Sequence, residues 1–113
     1  MTDVPRRGFV YYAQLDKRRP VLVISPNARN LGAGDVLAVP CTTSLSDAPT
    51  HVRLRKGEGG IVATSTLKCE QLGVIRKEAI DRTALGGALS EQRLREVERA
   101  ILRAIGVPVP LDN

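Results

Sequence analysis

The feature that most constrains the fold is a change in apolar period near residue 90. Before it, apolar residues recur at alternate positions in short runs; after Ser90 they recur every three or four, at Leu94, Val97, Ile101 and Ile105. A period of two belongs to a strand with a buried face, and a period near 3.6 to a helix lying on a core. The chain is therefore expected to be α+β and mainly β, with several strands followed by one closing amphipathic helix. Ser90 suits the N-cap, Glu91 suits the positive end of the helix dipole, and Gly106 followed by Pro108 is a stop.

In the β part, Gly8 to Leu15 places Phe9, Tyr11, Ala13 and Leu15 on one face and Val10, Tyr12 and Gln14 on the other. Asp16-Lys17-Arg18-Arg19 turns the chain. Pro20 biases Arg19 toward an extended backbone and is expected as the first residue of a buried strand, Val21-Leu22-Val23-Ile24. Ser25 to Gly34, rich in Asn, Pro and Gly, reads as a loop long enough to carry function. Asp35 to Cys41 is a third strand, Ser44 to Pro49 a polar loop, and Thr50 to Leu54 a strand with Thr50, Val52 and Leu54 opposite His51 and Arg53. A Gly-rich turn spans Arg55 to Gly60. Further strand-like runs lie at Gly60 to Ala63, Leu67 to Leu72 and Arg82 to Leu85. That many short strands suggests a small barrel or a strongly bent sheet.

The chain's 113 residues, 42% of them apolar and 26% charged, suit one folded domain over 1–113. Seventeen Lys and Arg against twelve acids leave a net charge of +5, which favours a polyanionic partner, nucleic acid or an acidic protein segment, without choosing between them. Residues 1–7 do not resemble a signal peptide and no apolar run approaches the ~20 residues of a membrane span, so a cytoplasmic protein without membrane contact is expected. Cys41 and Cys69 lack the Cys-x-x-Cys spacing of zinc or redox sites and read as buried, reduced thiols.

There is no phosphate-cradling glycine loop before a helix, no metal-ligand spacing and no serine elbow. One histidine excludes two-histidine ribonuclease chemistry. The candidates are polar groups at strand ends and loops: Arg18, Arg19, Ser25, Asn27, Arg29, Asn30, Thr42, Thr43, Ser44 and His51. Asn27, Arg29 and Asn30 suit contacts to bases or phosphates, and equally plain turn chemistry. His51 has the pKa of a general base, but its strand position equally suits a structural hydrogen bond.

The order of segments resembles the MazF/PemK toxins. Arg7-Gly8-Phe9-Val10-Tyr11 is similar to their opening strand, Arg19-Pro20-Val21-Leu22-Val23-Ile24-Ser25 to the second, and Val39-Pro40-Cys41-Thr42-Thr43-Ser44 to the third and its exit. Pro49-Thr50-His51-Val52, Cys69-Glu70-Gln71-Leu72 and a helix ending in Ile105-Gly106 complete the order, which covers nearly the whole chain. The sequence departs from the family in the short Asp16-Lys17-Arg18 connection, in Gly73-Val74 after Gln71-Leu72, and in Lys68, where an apolar residue is usual.

The resemblance implies an SH3-like (PemK/CcdB-like) barrel with a C-terminal helix, forming a symmetric homodimer whose interface holds single-stranded RNA. It implies cleavage without metal or cofactor, leaving 2′,3′-cyclic phosphate and 5′-hydroxyl ends. The family's catalytic arginine falls on Arg19 and its catalytic threonine on Thr42. Arg18, Ser25, Asn27, Arg29, Asn30, Thr43, Ser44, His51 and Gln71 are the expected RNA contacts. The implied protein partner is a cognate antitoxin whose acidic, disordered tail folds into the RNA groove. Two other readings keep the fold: a toxin that grips a protein such as a DNA gyrase subunit, and a nucleic-acid-binding barrel that never turns over.

Overall fold

A computed structural model describes residues 4–110. Six strands form one strongly bent sheet: β1 (Val10–Gln14), β2 (Arg18–Val23), β3 (Asp35–Thr42), β4 (His51–Leu54), β5 (Ser65–Lys68) and β6 (Gly73–Arg76). All pairings are antiparallel, and the main order is β1-β2-β3-β5-β4. The eight-residue β3 serves two further partners in turn. Its first half pairs with β6, Val36 opposite Ile75, and its end pairs with β5, Thr42 opposite Thr66.

Of the barrel and the bent sheet, the bent sheet is realised; among the described residues it does not close. Where β1 has no strand beside it, the segment after β6 lies alongside: Ala13 bridges Ile80, and the N–H groups of Asp81, Leu85 and Leu89 donate to the carbonyls of Tyr12, Val10 and Gly8. The strand expected at Arg82 to Leu85 is this irregular segment, tied to β1 by separated bonds rather than a ladder. Nor is Gly60 to Ala63 a strand, because the left-handed backbone of Gly59 and Gly60 (φ +64° and +88°) turns the chain there. Leu67 to Leu72 divides into β5 and a single turn of 3-10 helix, Cys69–Gln71. The expected loop at Ser25 to Gly34 contains a short helix, α1 (Asn27–Gly32).

Period-two alternation in the strands buries both faces. One face, with Val10, Leu22, Val39, Cys41, Leu67, Val52 and Leu54, packs under the C-terminal helix α2 (Glu91–Ala104), which contributes Val97 and Ala100. The opposite face, with Tyr11, Ala13, Val21, Val23, Val36 and Ala38, is covered by Ile75 and Ile80. As expected, Ser90 caps α2, its side chain accepting from Arg93 N at 3.1 Å, and Gly106 follows the helix with φ +89°. Leu94 and Ile101 pack on the core, but Ile105 is 69% exposed. It stands past the last turn that reaches the sheet, and Ala100 takes the buried place instead.

Pro20 is the third residue of β2, not the first. The last β2–β3 pair is Val21 opposite Pro40, so the missing N–H of Pro20 costs that ladder no bond. Cys41 and Cys69 are free, buried thiols; burial pushes Cys69 up to about 12, the Glu70 charge adding to it. No helix among the described residues is long and apolar enough to cross a membrane.

Candidate nucleic-acid site at the open end of the sheet

The second core stops short of one end of the sheet. Val36, Ala38, Val21 and Val23 are covered, whereas the same face continues past Val21 to Arg19 and past Ala38 to Pro40 and Thr42, which none of the described residues packs over into a core. There a polar recess of about 360 Å³ opens. The β1–β2 hairpin contributes Leu15, Asp16 and Arg19; β3 contributes Pro40 and Thr42; β5 and the turn after it contribute Lys68 and Gln71. Arg19, Thr42 and Gln71, distant in sequence, are brought together here.

Arg19 is half-buried. Its Nε and one Nη donate to the two carboxylate oxygens of Asp16 at 3.2 and 3.4 Å, and this guanidinium holds the Asp16 carboxyl below its usual range, with help from the Lys17 backbone. Thr42, also half-buried, accepts at Oγ1 from the backbone N–H of Ser44 at 3.2 Å. That bond anchors the hydroxyl oxygen and leaves its own proton to donate. Thr43 and Ser44 are exposed on the strand exit beside the recess but do not line it.

Arg18 stands on the other face of β2. Its guanidinium forms a bidentate pair with Asp81 at 3.0 and 2.5 Å and lies 4.7 Å from the centre of the Tyr12 ring. It does not enter the recess.

Ser25 and Asn30, expected as RNA contacts, lie in the interior rather than at the recess. They are 2% and 0% exposed, and their polar atoms are turned on the protein itself. Ser25 Oγ donates to Asn30 Oδ1 at 2.5 Å and accepts from Leu37 N at 3.0 Å, while Asn30 Nδ2 donates to the carbonyls of Ser25 and Pro5. A buried amide must be satisfied internally, and this network joins the start of α1 to β3. Asn27 accepts from the backbone N–H of Arg7 at 2.7 Å, and Arg29 is committed to the Asp35 side chain and carbonyl. Both belong to the end of the sheet opposite the recess. The β2 span from Arg19 to Val23 separates them by on the order of 13 Å along the strand.

His51 is fixed between two partners. Nε2 donates to Glu70 Oε2 at 3.0 Å, since a carboxylate only accepts, and Nδ1 is hydrogen-bonded with the Ser46 hydroxyl at 3.1 Å. Thr50 holds the other Glu70 oxygen at 3.0 Å. Burial raises the Glu70 carboxyl, but the bonds from His51, its own backbone and Thr50 outweigh it and leave it below its usual range. His51 lines a larger recess, about 550 Å³, between β4 and α2. That space contains neither Arg19 nor Thr42, and most of its charged groups are engaged: Arg93 with Glu58 and Glu96, Arg53 with Asp47, and Arg103 with the carbonyls of Pro49, Val109 and Pro110. The smaller recess is the better site because an anion entering it meets donors that are less fully committed.

Asp16 and Lys68 line the recess and were not among the candidates read from the sequence. The signal for Lys68 is a register: Thr42 lies opposite Thr66, and Lys68 is two residues further along the same face of β5. No group of three or more His, Cys, Asp or Glu that could hold a metal ion occurs among the described residues.

Residues 6–105 match the family described as PemK-like, MazF-like toxin of type II toxin-antitoxin system. The chain is 30% identical over 112 residues to the probable endoribonuclease MazF5 of Mycobacterium tuberculosis, covering 96% of each protein. It is 28% identical over 109 residues to endoribonuclease MazF4 of the same organism, covering 96% of this chain and 99% of that one. Among solved structures, it resembles an endoribonuclease in complex with its cognate antitoxin from a mycobacterial species. The TM-score is 0.81 at 29% identity, over 94% of this chain and 99% of the other.

Proposed function

The chain belongs to the PemK-like, MazF-like toxins of type II toxin–antitoxin systems, and from that premise we propose that it is an endoribonuclease cutting single-stranded RNA in the recess between the β1–β2 hairpin, β3 and β5. The observation that carries this reading is the meeting of Arg19 and Thr42 in one open recess at the end of a sheet face that is otherwise core.

RNA supplies its own nucleophile. The ribose 2′-oxygen forms a bond to the adjacent phosphorus as the bond from phosphorus to the 5′-oxygen breaks. The 2′-hydroxyl proton is given up and the departing 5′-oxygen takes one, leaving a 2′,3′-cyclic phosphate and a 5′-hydroxyl. The protein must stabilise charge growing on the phosphate oxygens, and this needs no metal ion. Arg19 offers a planar fork matched to those oxygens, already held in the recess by a carboxylate it can exchange for phosphate. With a pKa above about 12 it acts as a charge stabiliser rather than a base. Thr42, its oxygen fixed by Ser44 N–H, donates a hydrogen bond to a nonbridging or departing oxygen, while the proton that the 5′-oxygen takes comes from water. Gln71 at the recess, with Thr43 and Ser44 beside it, suits contacts to flanking nucleotides.

One toxin domain over 1–113, a symmetric homodimer that extends the groove, and a cytoplasmic site of action complete the reading. A solved relative carries its cognate antitoxin. The corresponding partner here is an antitoxin whose acidic, disordered tail occupies the basic groove, an encounter the +5 charge accelerates.

The test is incubation of the purified protein with several long single-stranded RNAs in EDTA, beside Arg19→Ala and Thr42→Val, with identification of the product ends. Cleavage by the parent alone, with cyclic phosphate and 5′-hydroxyl ends, is the expected result. Intact RNA beside a folded parent overturns the nuclease reading and moves the search to a protein target. Unchanged cleavage by both variants removes the recess from the mechanism.

A further inference from the structure

We propose that Lys68 is a phosphate-contacting residue of the RNA site, supplying the charge that the Arg19–Asp16 pair does not. The inference rests on the nuclease reading for its chemistry and on geometry for the residue. Two cations line the recess, Arg19 and Lys68, and one acid, Asp16. Arg19 is bound to Asp16 through Nε and Nη2, and the carboxylate offsets the guanidinium charge, so that pair is close to neutral toward an arriving phosphate. The Lys68 ammonium has no hydrogen bond or ion pair among the described residues, and it is the uncompensated charge of the recess.

Its base is rigid. Lys68 is the last residue of β5, which lies between β3 and β4, and the preceding Leu67 is fully buried in the core under α2. Its side chain leaves the sheet on the face that carries Thr42. A lysine stem anchored this way delivers a compact point charge with three donors to the recess that Thr42 also lines. The chemistry has use for it. A phosphodiester carries one negative charge, and the pentacoordinate arrangement reached by 2′-oxygen attack carries another, so a preorganised cation is worth more as the reaction proceeds than on binding.

The experiment compares the parent with Lys68→Met, which keeps the stem and removes the charge, and Lys68→Arg, which keeps the charge. Cleavage of a long single-stranded RNA is followed under single-turnover conditions, and binding is measured with an uncleavable 2′-O-methyl random-sequence pool over a range of salt. Lys68→Met is expected to cut roughly tenfold to a hundredfold more slowly than the parent at saturating enzyme, with Lys68→Arg recovering most of the rate. The methionine variant should also bind the pool with a salt slope smaller by about 0.7, the value of one lost phosphate contact on a single strand. Melting temperatures should match, since the ammonium holds nothing in the fold. Lys68→Met cutting and binding like the parent overturns the inference and leaves the nuclease reading intact. A parent that cuts no RNA, yet binds the pool with a Lys68-dependent slope, overturns the nuclease reading and keeps the phosphate contact. A parent that neither cuts nor binds overturns both.

Discussion

Arg19 and Asp16, three residues apart on the β1–β2 hairpin, form a two-point ion pair inside the recess, with Nε to Oδ1 at 3.2 Å and Nη2 to Oδ2 at 3.4 Å. The carboxylate occupies the fork that a phosphate would occupy. Asp16→Asn removes this competitor, and RNA affinity should rise by up to about fivefold, the scale of an exposed ion pair. Binding of an uncleavable oligonucleotide measures it. Weaker binding would instead make Asp16 the support that holds Arg19 in its productive rotamer.

Asn30 separates fold from site. It is fully buried, and its amide holds Ser25 and Pro5. Asn30→Ala should lower the unfolding free energy by roughly 1–3 kcal/mol, because the partners left behind are unsatisfied in the core. Urea unfolding checks the loss. RNA affinity, measured where the variant is still folded, should match the parent; a selective loss of affinity at full stability would return Asn30 to the RNA surface.

Two glycines with the same backbone hand offer a controlled pair. Gly57 (φ +98°) faces open space, while a Cβ on Gly60 (φ +88°) would stand 2.4 Å from the carbonyl carbon and oxygen of Leu85. Gly57→Ala meets backbone strain alone, and Gly60→Ala meets strain plus a collision with backbone that cannot move without freeing the 85–89 segment from β1. The second should be the more destabilising by about 2 kcal/mol, the scale of overpacking. Parallel chemical unfolding of the two variants decides it, and equal losses would mean that Leu85 yields.

Glu58 and Arg93 tie the turn before β5 to α2 through two bonds of 3.0 Å, and the Arg93 guanidinium, with the Arg55 backbone, holds the Glu58 carboxyl below its ordinary value. A carboxylate depressed in the folded state contributes stability above its unfolded pKa and loses it as pH falls through the folded value. Glu58→Gln should therefore melt below the parent near neutral pH, and the gap should narrow as pH falls below the usual carboxylate range. Thermal melts across that range read the effect directly. A constant gap would place the contribution of Glu58 in packing.

Much was legible in the residues themselves. The strand faces at Val10 to Ala13 and Val52 to Leu54, the capped helix from Ser90 and the buried thiols follow from local periods and side-chain chemistry. The order of short motifs marked Arg19 and Thr42 as candidates, without showing that they share a recess. The short helix within Ser25 to Gly34 was not, because Asn, Pro and Gly signal a break in the chain without saying how it is filled.

What the sequence by itself determined is which residues alternate, where the chain turns and where the period changes, since these depend on neighbours a few positions away. Only tertiary structure decided which arginine of the adjacent pair enters the recess. Arg18 and Arg19 are chemically the same, and the pleat of β2 sends them to opposite faces, one to Asp81 and Tyr12, the other to Asp16 and Thr42. It also withdrew Ser25 and Asn30 into the core and set Lys68 in the recess that Thr42 lines. Each outcome depends on the register of a strand against a partner remote in sequence, and a shift of one residue would exchange the two faces.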